Sequence, residues 1–464
     1  MENKTTISEQ IGKFVCDFQF SDIPDDIVTL LEDLLMDTVG CILAGHIEPS
    51  NAILVKTLKE KGGKPESTVF GYGFRTDAAT CAMINGCVGH TVELDDDHRE
   101  GTLHTGVVVF PTVLALGEKL GATGKEVLTA ALMGYEIGIR IGKAFLGDLF
   151  YQGFHPTGVC GVFASCVAAG KLLGLTPTQL ANAIGIAGSQ ASGNREWKTT
   201  GAWTKRLQAG HANFSGVTAA MLAKNGFTGP LTALEGEYGL FKSYSYQGHY
   251  DLEGILSELG SHWEIRNDSL KPHASCRFTQ PIVDSTLAIV KKFDLKPEDI
   301  KAVHVGTGKN ALISLTVPSE RKYHPVTRVD AQFSLPYASA VAIHRRKAFI
   351  EEFNPSSFTD DEILKTAQKI DYYLDPVSES KWPVCYAAKV TVETVDERVL
   401  EDRTDYPKGD PENPMSKEEV IEKYLTLASY TVDESTAGKS AEMMSKLRSM
   451  EKIEELCLLL KGDE

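Results

Sequence analysis

The stretch GHTVELDDDHREGTLHTG, residues 89–106, places three histidines and five carboxylates in eighteen positions. Metal ligation, a solvated acidic loop, and acid/base work on a charged substrate all use such groups. A zinc site needs about four N, S or O ligands at fixed spacing. His90, Asp95, Asp96, His98 and His104 offer ligands, but the chain has no HExxH, no recurring Cys/His spacing and no D-x-[DN]-x-[DN]-G calcium loop. A metal is therefore not expected. The acidic-loop reading suffices for this stretch alone, and its neighbours weigh against it.

His104 runs straight into the apolar segment GVVVFPTVLALGEKLG, so it sits where a loop meets a buried element. His155, in YQGFHPTGVCG, stands at a similar junction ahead of Pro156 and a Gly/Ala-rich run. TGAWTKRLQAGHAN sets Lys205 and Arg206 just before small residues that let another chain approach closely, and SLKPHASCRFTQPIVD gathers Lys271, His273 and Arg277. Taken singly, each also fits an ordinary role, as a hydrogen-bonded core histidine or a surface charge.

The elements that must position these groups are mostly helical. A chain of 464 residues exceeds one simple core, which predicts two domains. Up to about residue 265 helical patterns follow one another. SDIPDDIVTLLEDLLMDTVGCILAG starts on Ser/Asp and stops at Gly, and capping-box pairs stand at Thr123/Glu126 and Thr176/Gln179. Near residue 270 the texture changes. DIKAVHVGTG and AAKVTVETVDER alternate as half-buried strands do, with helical patterns over 334–349 and 359–374 between them. After the polar, Pro-rich RTDYPKGDPENP the chain turns helical again at Ser416, with a capping-box partner at Glu419, and is expected to rejoin the first domain. The expected fold is mostly α: an all-helical domain over 1–268 and 405–464, and a smaller α+β domain over 269–404.

Composition narrows the function. Hydrophobic residues at 42% and charged residues at 24% describe a folded soluble protein, and the net charge of −16 disfavours nucleic acid and anionic membranes as partners. An anionic substrate would need a local cationic pocket. The nine cysteines are scattered with no CxxC, as free thiols in a reducing compartment are, and the polar start MENKTTISEQ has no signal-peptide core. These features predict a cytoplasmic protein that does not span a membrane.

Read together, the motifs resemble the MmgE/PrpD family, which includes 2-methylcitrate dehydratases, cis-aconitate decarboxylases and an iminodisuccinate epimerase. The resemblance covers nearly the whole chain and rests on INGCVGHTVELDDDHREGTLHTGVVVFP, GFHPTGVCGVFASCVAAGKLLGL, AGSQASG, TKRLQAGHANFSGVTAAMLAKNGFTGP, KPHASCRFTQPIVD and DAQFSLPYASAVA in family order. It implies a homodimer, a lid formed by the α+β domain, an active site in the interdomain cleft and no cofactor. It also exposes departures. The family's HxxDFDD segment is His90, Glu93, Leu94, Asp95 and Asp96 here, so Glu93 replaces an Asp. Asp97 stands where the dehydratase and decarboxylase branches commonly carry Thr, and Gln280 where many relatives carry His. The decarboxylase tyrosine has only Tyr323 nearby.

The family reactions all form or trap negative charge at a carbon beside a carboxylate, which requires a positioned base and stabilisation of the developing enolate. The resemblance assigns His104 and His155 as the acid/base pair and Lys205 as carboxylate clamp and enolate stabiliser. Glu93, Asp95, Asp96, Lys271 and Arg277 are the expected substrate-binding group, with the aspartates orienting His104 and the two cations closing the pocket from the lid. The implied activity is a cofactor-independent lyase acting on a small di- or tricarboxylic acid, most like 2-methylcitrate dehydratase. The alternatives are an epimerase of a substituted succinate and a cis-aconitate decarboxylase.

Overall fold

Small residues set how closely the helices lie. The computed structural model, which describes residues 5–246 and 248–462, packs Asp25–Ala44, Ala78–Gly89, Gly106–Leu120, Gly124–Ala144, Gly161–Leu172 and Thr204–Lys224 around one core. A Cβ on Gly210 would stand 2.4 Å from the Met83 carbonyl oxygen, and one on Gly138 2.6 Å from the Ala164 Cβ. Larger side chains cannot enter such contacts, so the Gly/Ala texture acts here as packing code. Within the bundle Asn213 Nδ2 donates to the Val107 carbonyl (2.8 Å), its Oδ1 accepts from Thr112 (2.8 Å), and Thr112 meets Ser165 at 2.7 Å. This buried network ties three helices together and holds the turn that follows His104. The capping boxes at Thr123, Thr176 and Ser416 all form, and Thr6 makes another with Glu9.

A second core surrounds a four-stranded sheet in the order Ile370–Leu374, Ile300–Thr307, Ala388–Thr394, Val399–Thr404. The first pair is parallel and the others antiparallel. Buried and half-buried residues alternate along 388–394, as the strand pattern predicts. The sequence predicts one helical segment over 359–374, and the structure divides it: Asp361–Ala367 is helix, while Ile370–Leu374 is a strand beside Ile300–Thr307. IDYYL carries β-favouring Ile and Tyr in a run too short for periodicity to settle, and its pairing partner lies some seventy residues earlier.

The C-terminal helices Lys417–Ala428 and Glu434–Met444 bring Val420, Tyr424 and Met444 into the first core. Val92, Leu94 and Trp197 make the opposite crossing and are buried in the second core. Asp97–His98 also pair with Asp268–Ser269 in a short antiparallel ladder. The acidic loop is thus pinned between two cores, which is why its charges are buried. All nine cysteines are free. Among the described residues no helix is long and apolar enough to cross a membrane.

Candidate active site

The helix Ala78–Gly89 ends on His90, and the chain then turns through Glu93, whose φ of 57° lies in the left-handed region. A non-glycine residue held there stores on the order of 1 kcal/mol of strain. The turn aims the Glu93 carboxylate at the amine of Lys205, which donates to Oε1; Oε2 lies 3.8 Å from the Lys271 amine. Lys271 also stands 3.6 Å from Asp95 Oδ1. Four charged side chains from three distant stretches, Glu93 and Asp95, Lys205, and Lys271, therefore neutralise one another out of water. Burial opposes the charge of Glu93, but Lys205 and Lys271 outweigh it and hold the carboxyl at about 2. Burial likewise opposes Asp95, and His90, Lys271 and His104 bring it well below the usual carboxylate range.

His90 Nδ1 lies 2.7 Å from Asp95 Oδ2. Its imidazole is fully buried and lowered to about 4, by burial first and by Lys205 next, so it is neutral at pH 7. A carboxylate accepts only, so Nδ1 carries the proton, and Nε2 has no partner among the described residues. His104 is oriented from two sides: Nδ1 donates to the Asp96 carbonyl (2.8 Å) and lies 3.2 Å from Asp95 Oδ2. That leaves Nε2 facing Asp97 Oδ1 at 3.6 Å. His155 Nδ1 meets Gln208 Oε1 at 2.8 Å, and the Gln208 amide is fixed by its own bond to the Asn194 carbonyl (2.8 Å). His155 therefore presents an unprotonated Nε2. Burial pushes its pKa well below the ordinary value, with His90, Lys205 and His104 acting in the same direction. The His90 ring lies 4.8 Å from that of His104 and 5.7 Å from that of His155, so the three imidazoles form one cluster.

A cavity opens in front of this cluster. His104, His155, Lys205 and Glu93 line it from the helical part, and Arg277 and Tyr386 from the sheet-bearing part. One arm of Arg277 is taken by Asp410, while its Nε and Nη1 are buried without a partner among the described residues, and its guanidinium carbon stands 5.6 Å above the Tyr386 ring. Asp97 also lines the cavity, and its Oδ2 is likewise buried and unpartnered among the described residues.

Not every residue in the expected substrate-binding group reaches this cavity. Asp95 and Lys271 stand behind its wall and act on Glu93 and the histidines. The Asp96 carboxylate turns into the helical core, where it accepts from the Gly106 N–H (2.9 Å) and the Tyr135 hydroxyl (2.7 Å). A helix start with an unsatisfied N–H claims the carboxylate ahead of any ligand. His273, grouped with Lys271 and Arg277 by sequence, instead meets Asp284 at 2.8 Å, and Tyr323 donates to the Ile370 carbonyl; neither lines the cavity. The tyrosine at the cavity is Tyr386. Arg195, Trp197, Ser314 and Phe333 line it as well and went unread. The only sequence signal for the first two is a charged, aromatic loop, GNREWKTTG.

His90, Asp95 and His104 have ligand atoms within 4.8 Å of one another, a spacing that admits a metal. The donor set is unsuited to a cation: the Lys271 amine already sits 3.6 Å from Asp95, and Lys205 lies beside His90. The arrangement suits proton transfer beside an anion.

The MmgE/PrpD N-terminal domain matches residues 9–253 and the MmgE/PrpD C-terminal domain residues 273–449. A cis-aconitate decarboxylase of Aspergillus terreus is 30% identical, covering 98% of this chain and 96% of its own. The human cis-aconitate decarboxylase is 24% identical, covering 98% of this chain and 95% of its own.

Proposed function

The chain belongs to the MmgE/PrpD family, and from that premise we propose that it is a lyase that moves a proton at a carbon beside a carboxylate of a small di- or tricarboxylic acid. His155, neutral with a free Nε2, removes the proton. Lys205, with two N–H donors left after Glu93, holds the carboxylate on which enolate charge develops. His104, which must enter this step protonated at both nitrogens, gives its Nε2 proton to the leaving group. No step calls for a metal or organic cofactor, since two histidines and two cations supply base, acid and charge stabilisation.

Asp97 carries the choice of substrate. A buried carboxylate oxygen without a donor is expensive, and Asp97, whose Oδ2 has no donor among the described residues, lines the cavity. A hydroxy acid supplies that donor through its hydroxyl while its carboxylate meets the free nitrogens of Arg277. This favours dehydration of a substrate of the 2-methylcitrate type, with the hydroxyl leaving as water between Asp97 and His104. cis-Aconitate, the acid in the relatives' names, is acceptor-only when ionised and leaves Asp97 unsatisfied. A second reading rests on the same oxygen: an imino or amino nitrogen is also a donor, so epimerisation of an iminodisuccinate-like acid fits.

We assign the lid role to residues 269–404, the helical frame to the remainder, and a homodimer as the working form. Light scattering at the 50.6 kDa mass of one chain would contradict the dimer. NMR in D2O with 2-methylcitrate, citrate, cis-aconitate and iminodisuccinate, each alone, tests the chemistry. Loss of water from a hydroxy acid supports the dehydratase reading; CO2 release from cis-aconitate, with the hydroxy acids inert, overturns it.

A further inference from the structure

Besides Arg277, the cavity lining holds further unanswered donors. Trp197 and Ser314 belong to it, and the indole N–H of the one and the hydroxyl of the other are buried and without a partner among the described residues. Beside them the guanidinium of Arg195 lies flat on Phe150, 3.4 Å from the ring centroid, and donates one N–H to the Phe150 carbonyl (3.1 Å). Lys198 reaches the Ile313 carbonyl at 2.5 Å, next to Ser314, and Lys322 is buried nearby. Among the described residues none of these three cations has a carboxylate within ion-pair distance. Asp330, the carboxylate closest in effect on Lys322, is already held by Arg321 at 3.0 Å.

Aromatic rings connect Arg195 to Arg277. Arg195 stacks on Phe150, Phe150 lies 6.5 Å from Phe278, Phe278 4.8 Å from Tyr386, and Tyr386 carries Arg277. A series of three rings thus carries a guanidinium against its first member and another against its last, and Trp197 packs beside it, 6.2 Å from the His155 ring. Such a floor fits an apolar carbon skeleton with an anion at either terminus.

We propose that Arg195, Trp197 and Ser314 form a second carboxylate-receiving subsite of this cavity, with Lys198 and Lys322 behind it, so that the site selects acids with a carboxylate on both terminal carbons of a three-carbon skeleton. Its electrostatics agree. Burial brings Lys198 and Lys322 to about 8 and Arg195 to about 10, and for Lys198 the neighbouring charges that deepen the effect, Arg195 and Lys322, are themselves cations. A bound carboxylate relieves that repulsion. The subsite rests on the polycarboxylate reading above and adds the residues that enforce it.

The test compares tricarballylate with methylsuccinate, which has the same carbons less one terminal carboxylate; neither has a hydroxyl to eliminate. Calorimetric titration is run on the wild type, Arg195→Gln, Trp197→Phe and Ser314→Ala, each checked by thermal melting. The wild type is expected to prefer tricarballylate by about tenfold, the worth of one hydrogen bond to a charged group. In Arg195→Gln and Trp197→Phe that preference falls to within about threefold, because tricarballylate weakens and methylsuccinate does not. An unchanged preference in the folded variants, or equal loss of both acids, overturns the subsite and leaves the polycarboxylate reading intact. If the wild type binds neither acid, both fall. Should Arg195→Gln fail to fold, Trp197→Phe and Ser314→Ala decide; collapse of all three would make these residues structural and end the proposal.

Discussion

Asp97 Oδ1 stands 3.6 Å from His104 Nε2, while its second oxygen is buried at the cavity with no donor to meet it. One carboxylate thus faces the His104 ring with one oxygen, keeps the other without a donor among the described residues, and belongs to the cavity lining. Its position decides which ligands are tolerated.

Asp97→Asn is expected to separate two substrate classes. A hydrogen bond to a charged group is worth about 1.5–3 kcal/mol, so kcat/KM for a hydroxy acid should fall by about tenfold or more. Binding of cis-aconitate should hold or tighten, since a like charge is removed. Parallel losses for both acids would show that Asp97 does not read the hydroxyl.

His155→Gln keeps a side chain that can hydrogen-bond but no titrating base, and should lower kcat by about 100- to 10,000-fold with substrate still bound. The pH profile supplies a second check. Burial holds the His155 pKa well below 6.5, so the base stays unprotonated on acidification past the ordinary histidine value. The acid limb of kcat/KM should therefore lie below pH 6.5. A limb centred at 6.5 would point to an exposed histidine instead.

Among the described residues, Glu93→Gln removes the only carboxylate within ion-pair distance of Lys205 and one of the two within that distance of Lys271. Breaking a buried pair from one side typically weakens a fold by about 3–5 kcal/mol. Thermal melting should drop by several degrees, and activity should fall with it as the Lys205 amine loses its anchor. A variant as stable as the wild type would mean that Lys205 finds water in this place.

Gly106→Ala probes how His104 is held. A Cβ there would stand 2.4 Å from Thr38 Oγ1 and 2.7 Å from Asp96 Oδ1, so the Asp96 carboxylate must shift along with the carbonyl that His104 Nδ1 contacts. Overpacking of this kind is expected to weaken the fold by about 1–3 kcal/mol. It should also reduce kcat more than it raises KM, as steady-state kinetics would read. An unaltered kcat would place the strain away from His104.

Dialysis against EDTA is expected to leave turnover unchanged, because Lys271 already answers the charge of Asp95 in the His90, Asp95 and His104 trio. Loss of turnover that Zn2+, Fe2+ or Mg2+ restores would overturn the metal-free mechanism.

Local signals carried far along this chain. Thr123, Thr176 and Ser416 announce helix starts through partners three residues away, and each cap forms. The strand at 388–394 is visible in its own alternation. The strand at 370–374 is not, because its identity depends on hydrogen bonds to residues 303–307. The same division runs through the site. His104, His155 and Lys205 stand in motifs whose order in the sequence points to the family, and they line one cavity.

What only the tertiary structure decided is which charges face that cavity and which stand behind it. Asp95, Asp96 and Asp97 are consecutive and alike in sequence, yet Asp95 turns to His90 and Lys271, Asp96 to the start of the next helix, and Asp97 to the cavity. Trp197 and Ser314 are unremarkable residues until a fold places their unpaired donors beside Arg195. Residue type and spacing determine what a side chain can do and which helix or strand carries it, because those depend on near neighbours along the chain. A carboxylate's role depends on the charge and solvent around it, and these are supplied by segments hundreds of residues apart that meet only when the two cores close.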